Sequence, residues 1–283
     1  GLPYEAIGYA QEADATLAAY PDHDACPEQG IPAGDELRTT DGVRLAGWYV
    51  PATSGIGPTG PTVVLVHGWG SNKSELLDQV NLLAPAYNVV DFDLRGHGQS
   101  SHERPTTQGV NEQRDLETVL DWLVAHKGPT RIALLGISMG GATATGVAGT
   151  DERVNALILD STHATLQSAV QARLDRAGYP LSLPGSWGIL MGGLLRTGLD
   201  MTSADPDRAI TRLGDRPVLV LVGGADASIG DDPGGRLQAA AEKAAVPVTL
   251  QTCPGAGHAE LLRTCPDDYA AWVLGFLDSA LGG

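Results

Sequence analysis

Basic residues are scarce in this chain: 18 Lys and Arg stand against 34 Asp and Glu in 283 residues, a formal net charge of −16. A surface of that sign repels a phosphate backbone, which excludes nucleic acid as a partner, and the acidity reads as an aid to solubility. Long apolar runs are missing too. No stretch approaches the roughly 20 residues needed to cross a bilayer, so no stable membrane span is expected. No HExxH or CxxC occurs, and no pair of histidines has metal-site spacing, so no metal is expected. Cysteine is limited to three residues, an odd number that leaves at least one unpaired within the chain.

What is present is an alternation of apolar strands and amphipathic helices, with 42% hydrophobic residues to fill a substantial core. Asp35 to Thr40 and Val43 to Pro51 read as an antiparallel hairpin around an Asp-Gly turn. Strand-like runs follow at Thr62–Val66, Tyr87–Asp93, Arg131–Leu135, Ala156–Leu159, Pro217–Val222 and Val248–Thr252. Leu116, Val119, Leu120 and Leu123 recur at helical spacing within Asn111 to Lys127, and Asp267 to Leu281 reads as a last covering helix. Strands alternating with helices predict an α/β fold, a mostly parallel sheet covered on both faces.

Chemistry enters at Gly136-Ile137-Ser138-Met139-Gly140, between an apolar strand and a run of small residues. A turn this tight strains the central residue and holds its hydroxyl at a helix N-terminus, where developing negative charge is favoured. If Ser138 is a nucleophile, three companions are required in chain order: donors for an oxyanion, then an acid, then a histidine. His67-Gly68-Trp69-Gly70 follows the first of the central strands and offers the Trp69 N–H beside that of Met139. His67 itself reads as a brace. Asp226 stands after the strand Pro217–Val222, and the turn Pro254-Gly255-Ala256-Gly257-His258 delivers His258 to the same edge. Asp160, after its own strand, is the rival acid, and Asp231 and Asp232 are weaker fallbacks. Asp93-Leu94-Arg95-Gly96-His97-Gly98-Gln99-Ser100 reads as a loop fixed by charged hydrogen bonds from Asp93 and Arg95. His23, His102 and His126 read as surface positions.

These five ordered motifs resemble the α/β-hydrolase family, and the resemblance covers almost the whole chain. It implies the α/β-hydrolase fold with Ser138, Asp226 and His258 as a catalytic triad and Trp69 and Met139 as the oxyanion hole. The implied activity is that of a cofactor-free serine hydrolase working through an acyl-enzyme. The segment Thr40 to Pro51 resembles an exported or membrane-associated branch of esterases. Ester hydrolysis is the expected reaction, on a small-molecule ester of short to medium acyl length, since aromatic residues are few and no lipid-binding stripe is visible. A peptidase or thioesterase using the same triad, a cofactor-free haloperoxidase, or a non-catalytic ligand-binding homologue are the alternatives. A carboxylate nucleophile, as in dehalogenase-like relatives, is absent at position 138.

Residues 163–213 break the alternation: helical signals at Ala164 to Arg176 and Trp187 to Arg196, but no strand. This predicts a helical cap, with the core formed by 35–162 and 214–283, and an N-terminal extension over 1–34 that wraps the surface. His163, Leu183, Trp187, Leu190 and Met191 are candidate pocket residues. Cys253 and Cys265 flank the turn carrying His258, and a bridge between them would clamp it, with Cys26 free or pairing with one of them. Such a bridge points to an oxidising compartment, hence export.

Overall fold

In the computed structural model residues 4–8 and 37–282 are described. In chain order the elements are β1 (Glu5–Gly8), β2 (Ala46–Val50), β3 (Thr62–Val66), α1 (Leu77–Leu83), β4 (Asn88–Phe92), α2 (Glu112–His126), β5 (Ile132–Ile137), α3 (Met139–Ala148), β6 (Val154–Asp160), α4 (Leu166–Arg176), α5 (Ser182–Thr197), α6 (Pro206–Ala209), β7 (Val218–Gly223), α7 (Pro233–Lys243), β8 (Val248–Cys253), α8 (Leu261–Thr264) and α9 (Pro266–Leu281). The strands form one sheet in the order β1-β2-β4-β3-β5-β6-β7-β8. β2 runs antiparallel to both neighbours, and every pairing from β4 to β8 is parallel.

The central strands are apolar without alternation because both faces are covered. On one face Val64, Val66, Val90, Leu134 and Leu157 pack beneath α2, α3 and α7 through Leu120, Val147 and Leu237. On the other, Val63, Leu65, Leu135 and Ile158 meet α1 and α9 through Leu83, Tyr269 and Val273. The helical insertion predicted from the sequence is α4, α5 and α6, between β6 and β7.

The N-terminal part differs from expectation. The Asp41-Gly42 turn is present, with Thr39 N–H donating to Val43 O at 2.9 Å and Leu45 N–H to Leu37 O at 2.8 Å. Among its described residues the arm before it contributes one bridge, between Arg38 and Arg44, and β2 finds its partners in β1 and β4. Of the predicted extension, residues 4–8 are described and Glu5–Gly8 of them form an edge strand; the rest of it, with His23 and Cys26, lies outside the described residues. Cys253 and Cys265 form a disulfide across a separation of 12 residues.

Candidate active site

β5 turns into α3 through Ser138, whose φ of 56° and ψ of −117° form a strained combination for an L-residue. The surroundings impose it. Ser138 N–H donates to Asp160 O at 2.9 Å, and Ser138 O accepts from the N–H groups of Gly141 and Ala142. A Cβ on Gly140 would overlap the carbonyl oxygens of Val66 and His67, so only glycine lets α3 start this close to β3. Met139 opens the helix, and its N–H has no acceptor within it.

Three side chains from separate strand ends meet at this turn. His258 Nε2 lies 3.0 Å from Ser138 Oγ, and His258 Nδ1 lies 2.7 Å from Asp226 Oδ2. With the carboxylate accepting from Nδ1–H, Nε2 carries the lone pair and faces the hydroxyl. Asp226 is itself fixed, its Oδ1 accepting from Ser228 N–H at 2.8 Å. The rival acid is occupied elsewhere: Asp160 accepts from Ser161 Oγ at 2.9 Å and from Tyr269 Oη at 3.1 Å. Burial first, with the Asp226 charge adding, pushes its carboxyl up to about 6. Ser161 Oγ also accepts from Ala259 N–H at 3.0 Å, so the Asp160 pair braces the residue next to His258. Asp232 caps α7 through Gly235 N–H.

The loop after β3 reaches over Ser138. A Cβ on Gly68 would sit 3.3 Å from Ser138 Cβ, which places the His67–Gly70 backbone against the hydroxyl. Two imidazoles hold it. His67 Nδ1 bonds Gly68 O at 2.8 Å while Nε2 accepts from Leu94 N–H at 3.0 Å. His97 Nδ1 bonds Arg95 O at 2.9 Å while Nε2 accepts from Gly70 N–H at 3.1 Å. Burial pushes the His67 imidazole down to about 4, so the ring is neutral, as a donor-plus-acceptor brace requires. Behind it Asp93 accepts from Lys73 Nζ at 2.8 Å and Gln99 N–H at 2.8 Å. Arg95 spans Asp115 and Asp41.

Residues 61–206 match the family described as alpha/beta hydrolase fold. The chain belongs to that family. It is 34% identical over 235 residues to an uncharacterized protein of Mycobacterium tuberculosis, covering 81% of this chain and 73% of that one. A pimeloyl-[acyl-carrier protein] methyl ester esterase of Vibrio campbellii is 36% identical over 100 residues, 35% of this chain and 36% of that protein. Among solved structures, an esterase of Pyrococcus furiosus superposes with a TM-score of 0.70 at 21% identity, over 87% of this chain and 91% of that one. The likeness is one of fold. As in the rest of this α/β-hydrolase, the sheet's carboxyl edge gathers the polar residues just described.

The predicted pocket residues divide. His163 is buried near the site; burial foremost, with the Arg173 and His258 charges adding, pushes its imidazole down to about 4. Leu190 is half-buried. Leu183, Trp187 and Met191 are not enclosed: they are 52%, 55% and 54% exposed. The cause is in α5, whose inward positions go to Ser186, Leu190, Gly193 and Leu194, so Leu183, Trp187 and Met191 point away. Sequence reasoning also missed Tyr269 and Lys73, whose partners are distant in the chain, and Arg173, whose guanidinium stands 5.6 Å from the exposed Trp69 ring. Among the described residues no group of three or more His, Cys, Asp or Glu is placed to hold a metal ion.

Proposed function

We propose that this α/β-hydrolase is a serine carboxylesterase, and the carrying observation is the hydrogen-bonded chain Ser138–His258–Asp226. A serine hydroxyl is a weak nucleophile at neutral pH. His258 takes its proton as Ser138 attacks the ester carbonyl, and Asp226 holds the tautomer and stabilises the imidazolium. The N–H groups of Trp69 and Met139 receive the oxyanion, a position supported by the close approach of Gly68 and by the open N-terminus of α3. The imidazolium then protonates the leaving alcohol, and water repeats the cycle to release the acid. No step calls for a cofactor. The Cys253–Cys265 bridge supports an oxidising, exported location.

Ester rather than amide cleavage is favoured by the esterase named among the similar proteins. Ser138→Ala should lower turnover of a soluble short-chain ester such as p-nitrophenyl butyrate by at least about 10³-fold. It should also abolish labelling by a fluorophosphonate that the parent protein takes up. Retained parental turnover in a clean preparation would sink the reading. Matched ester, thioester and amide substrates in the same assay should rank the ester first.

A further inference from the structure

The cap helix α5 is built inside out. From Ala177 to Leu195 the sequence contains no charged residue. A helix that apolar belongs in a core. Yet Ser186 is its only buried residue. Its inward side mixes small residues with the half-buried Leu190 and Leu194: a Cβ on Gly185 would lie 3.2 Å from Leu174, one on Gly193 3.6 Å from Met201, and Ser186 Oγ accepts from Gln167 Nε2 at 2.9 Å. The outward stripe, four residues apart, is Trp187, Met191 and Leu195, 55%, 54% and 81% exposed. Of the ten large apolar side chains exposed among the described residues, six lie between Leu181 and Leu195. Apolar spacing alone does not say which side of a helix is covered, so this exposed face is visible in the structure and not in the sequence.

The helix pair that carries the patch reaches the site and differs from the rest of the protein in charge. Arg173 of α4, the helix on which α5 packs, stands 5.6 Å from the Trp69 ring on the loop beside Ser138, so the helix pair that carries the apolar stripe borders the site. Over the cap, residues 163–213, five arginines (Arg173, Arg176, Arg196, Arg208 and Arg212) stand against four aspartates (Asp175, Asp200, Asp205 and Asp207), a formal charge of +1 in a chain of net charge −16. An apolar surface left exposed among the described residues marks a contact site.

We propose that α5 docks on an anionic lipid surface, and that the ester cleaved at Ser138 is drawn from that surface. The proposal rests on the esterase reading and names its substrate class, an ester held at a lipid–water interface. Charge complementarity selects this occupant. Anionic headgroups attract the net-positive cap and repel the acidic body, which orients the site toward the lipid. Trp187 beside aliphatic neighbours suits an interface that is apolar on one side and wet on the other. A second copy of the chain is a poorer match, since a two-fold contact would bring two faces of the same net charge together.

Flotation with vesicles of an equal mixture of phosphatidylglycerol and phosphatidylcholine, against phosphatidylcholine alone, tests this. The intact protein should float with the mixed vesicles and far less with the neutral ones, and added salt should weaken binding. Ile189→Ser/Leu195→Ser should weaken it by at least about tenfold. Arg196→Glu should weaken it on mixed vesicles, and both variants should keep parental turnover of soluble p-nitrophenyl butyrate. Ser138→Ala should still float. Turnover without flotation, or equal flotation by the double variant, overturns the docking. So does a concentration-dependent dimer in sedimentation that the double variant abolishes while the parent ignores vesicles. Flotation without turnover supports the docking and overturns the esterase reading instead.

Discussion

Two aspartates stand near His258, and one of them touches it. Asp226 meets the imidazole at 2.7 Å, whereas Asp160 is held by Ser161 and Tyr269. Asp226→Asn should therefore lower kcat by about 10⁴-fold, the effect of losing the tautomer. Asp160→Asn should cost far less, because its neighbours still brace Ala259 through Ser161. Equal losses on a soluble ester would mean the acid has been misassigned. Ser138, Asp226 and His258 were legible in the sequence because each ends a strand, and strand ends of a parallel sheet converge on one edge. Tyr269 was not: it reaches Asp160 across 109 residues, and nothing local to a covering helix announces such a partner. Lys73 was hidden likewise, since its carboxylate partner Asp93 belongs to another strand end.

The segment between β8 and α9 is an element with a clamp. The Cys253–Cys265 bridge joins the end of the strand to the residue before the helix, with His258 between them. Replacing both cysteines by serine should lower unfolding free energy by about 3 kcal/mol, as loop-closure entropy predicts, measurable by urea titration. Turnover should fall as well, because the imidazole then samples positions away from Ser138; parental activity in the double variant would show that α8 and Glu260, whose carboxylate accepts from Gly257 N–H at 3.2 Å, hold the loop unaided. Helices such as α2 and α9 were readable to within a residue because one face is apolar and the other is not. α5 was readable as a helix but not in its facing, being apolar all round. β1 escaped notice because four residues give too short a pattern to separate strand from loop.

The molecule as a whole answers to acid through imidazoles buried without charge. His67 and His163 are pushed to about 4 in the folded state from an ordinary value of 6.5. Between those values the unfolded chain binds protons that the folded one refuses. Their contribution is full above pH 6.5 and lost as pH falls toward 4, by up to about 3 kcal/mol each. Asp115, Asp160 and Asp205, raised to about 6 chiefly by burial, act oppositely: the folded state keeps their protons, so their contribution declines as pH rises through 6. In His163→Gln the fall in Tm between pH 7 and pH 4.5 should be smaller than in the parent by thermal scan; an identical fall would refute the linkage.

β1 covers the outer rim of β2, where Tyr4 leans on Trp48 with ring centres 5.9 Å apart and Glu5 pairs with Lys127. A variant trimmed past Gly8 would leave the Ala46–Val50 amides and carbonyls on that rim without mates, a template on which a neighbouring molecule can add. Light scattering that climbs with protein concentration, while freshly diluted samples keep their turnover, is the expected signature of such stacking.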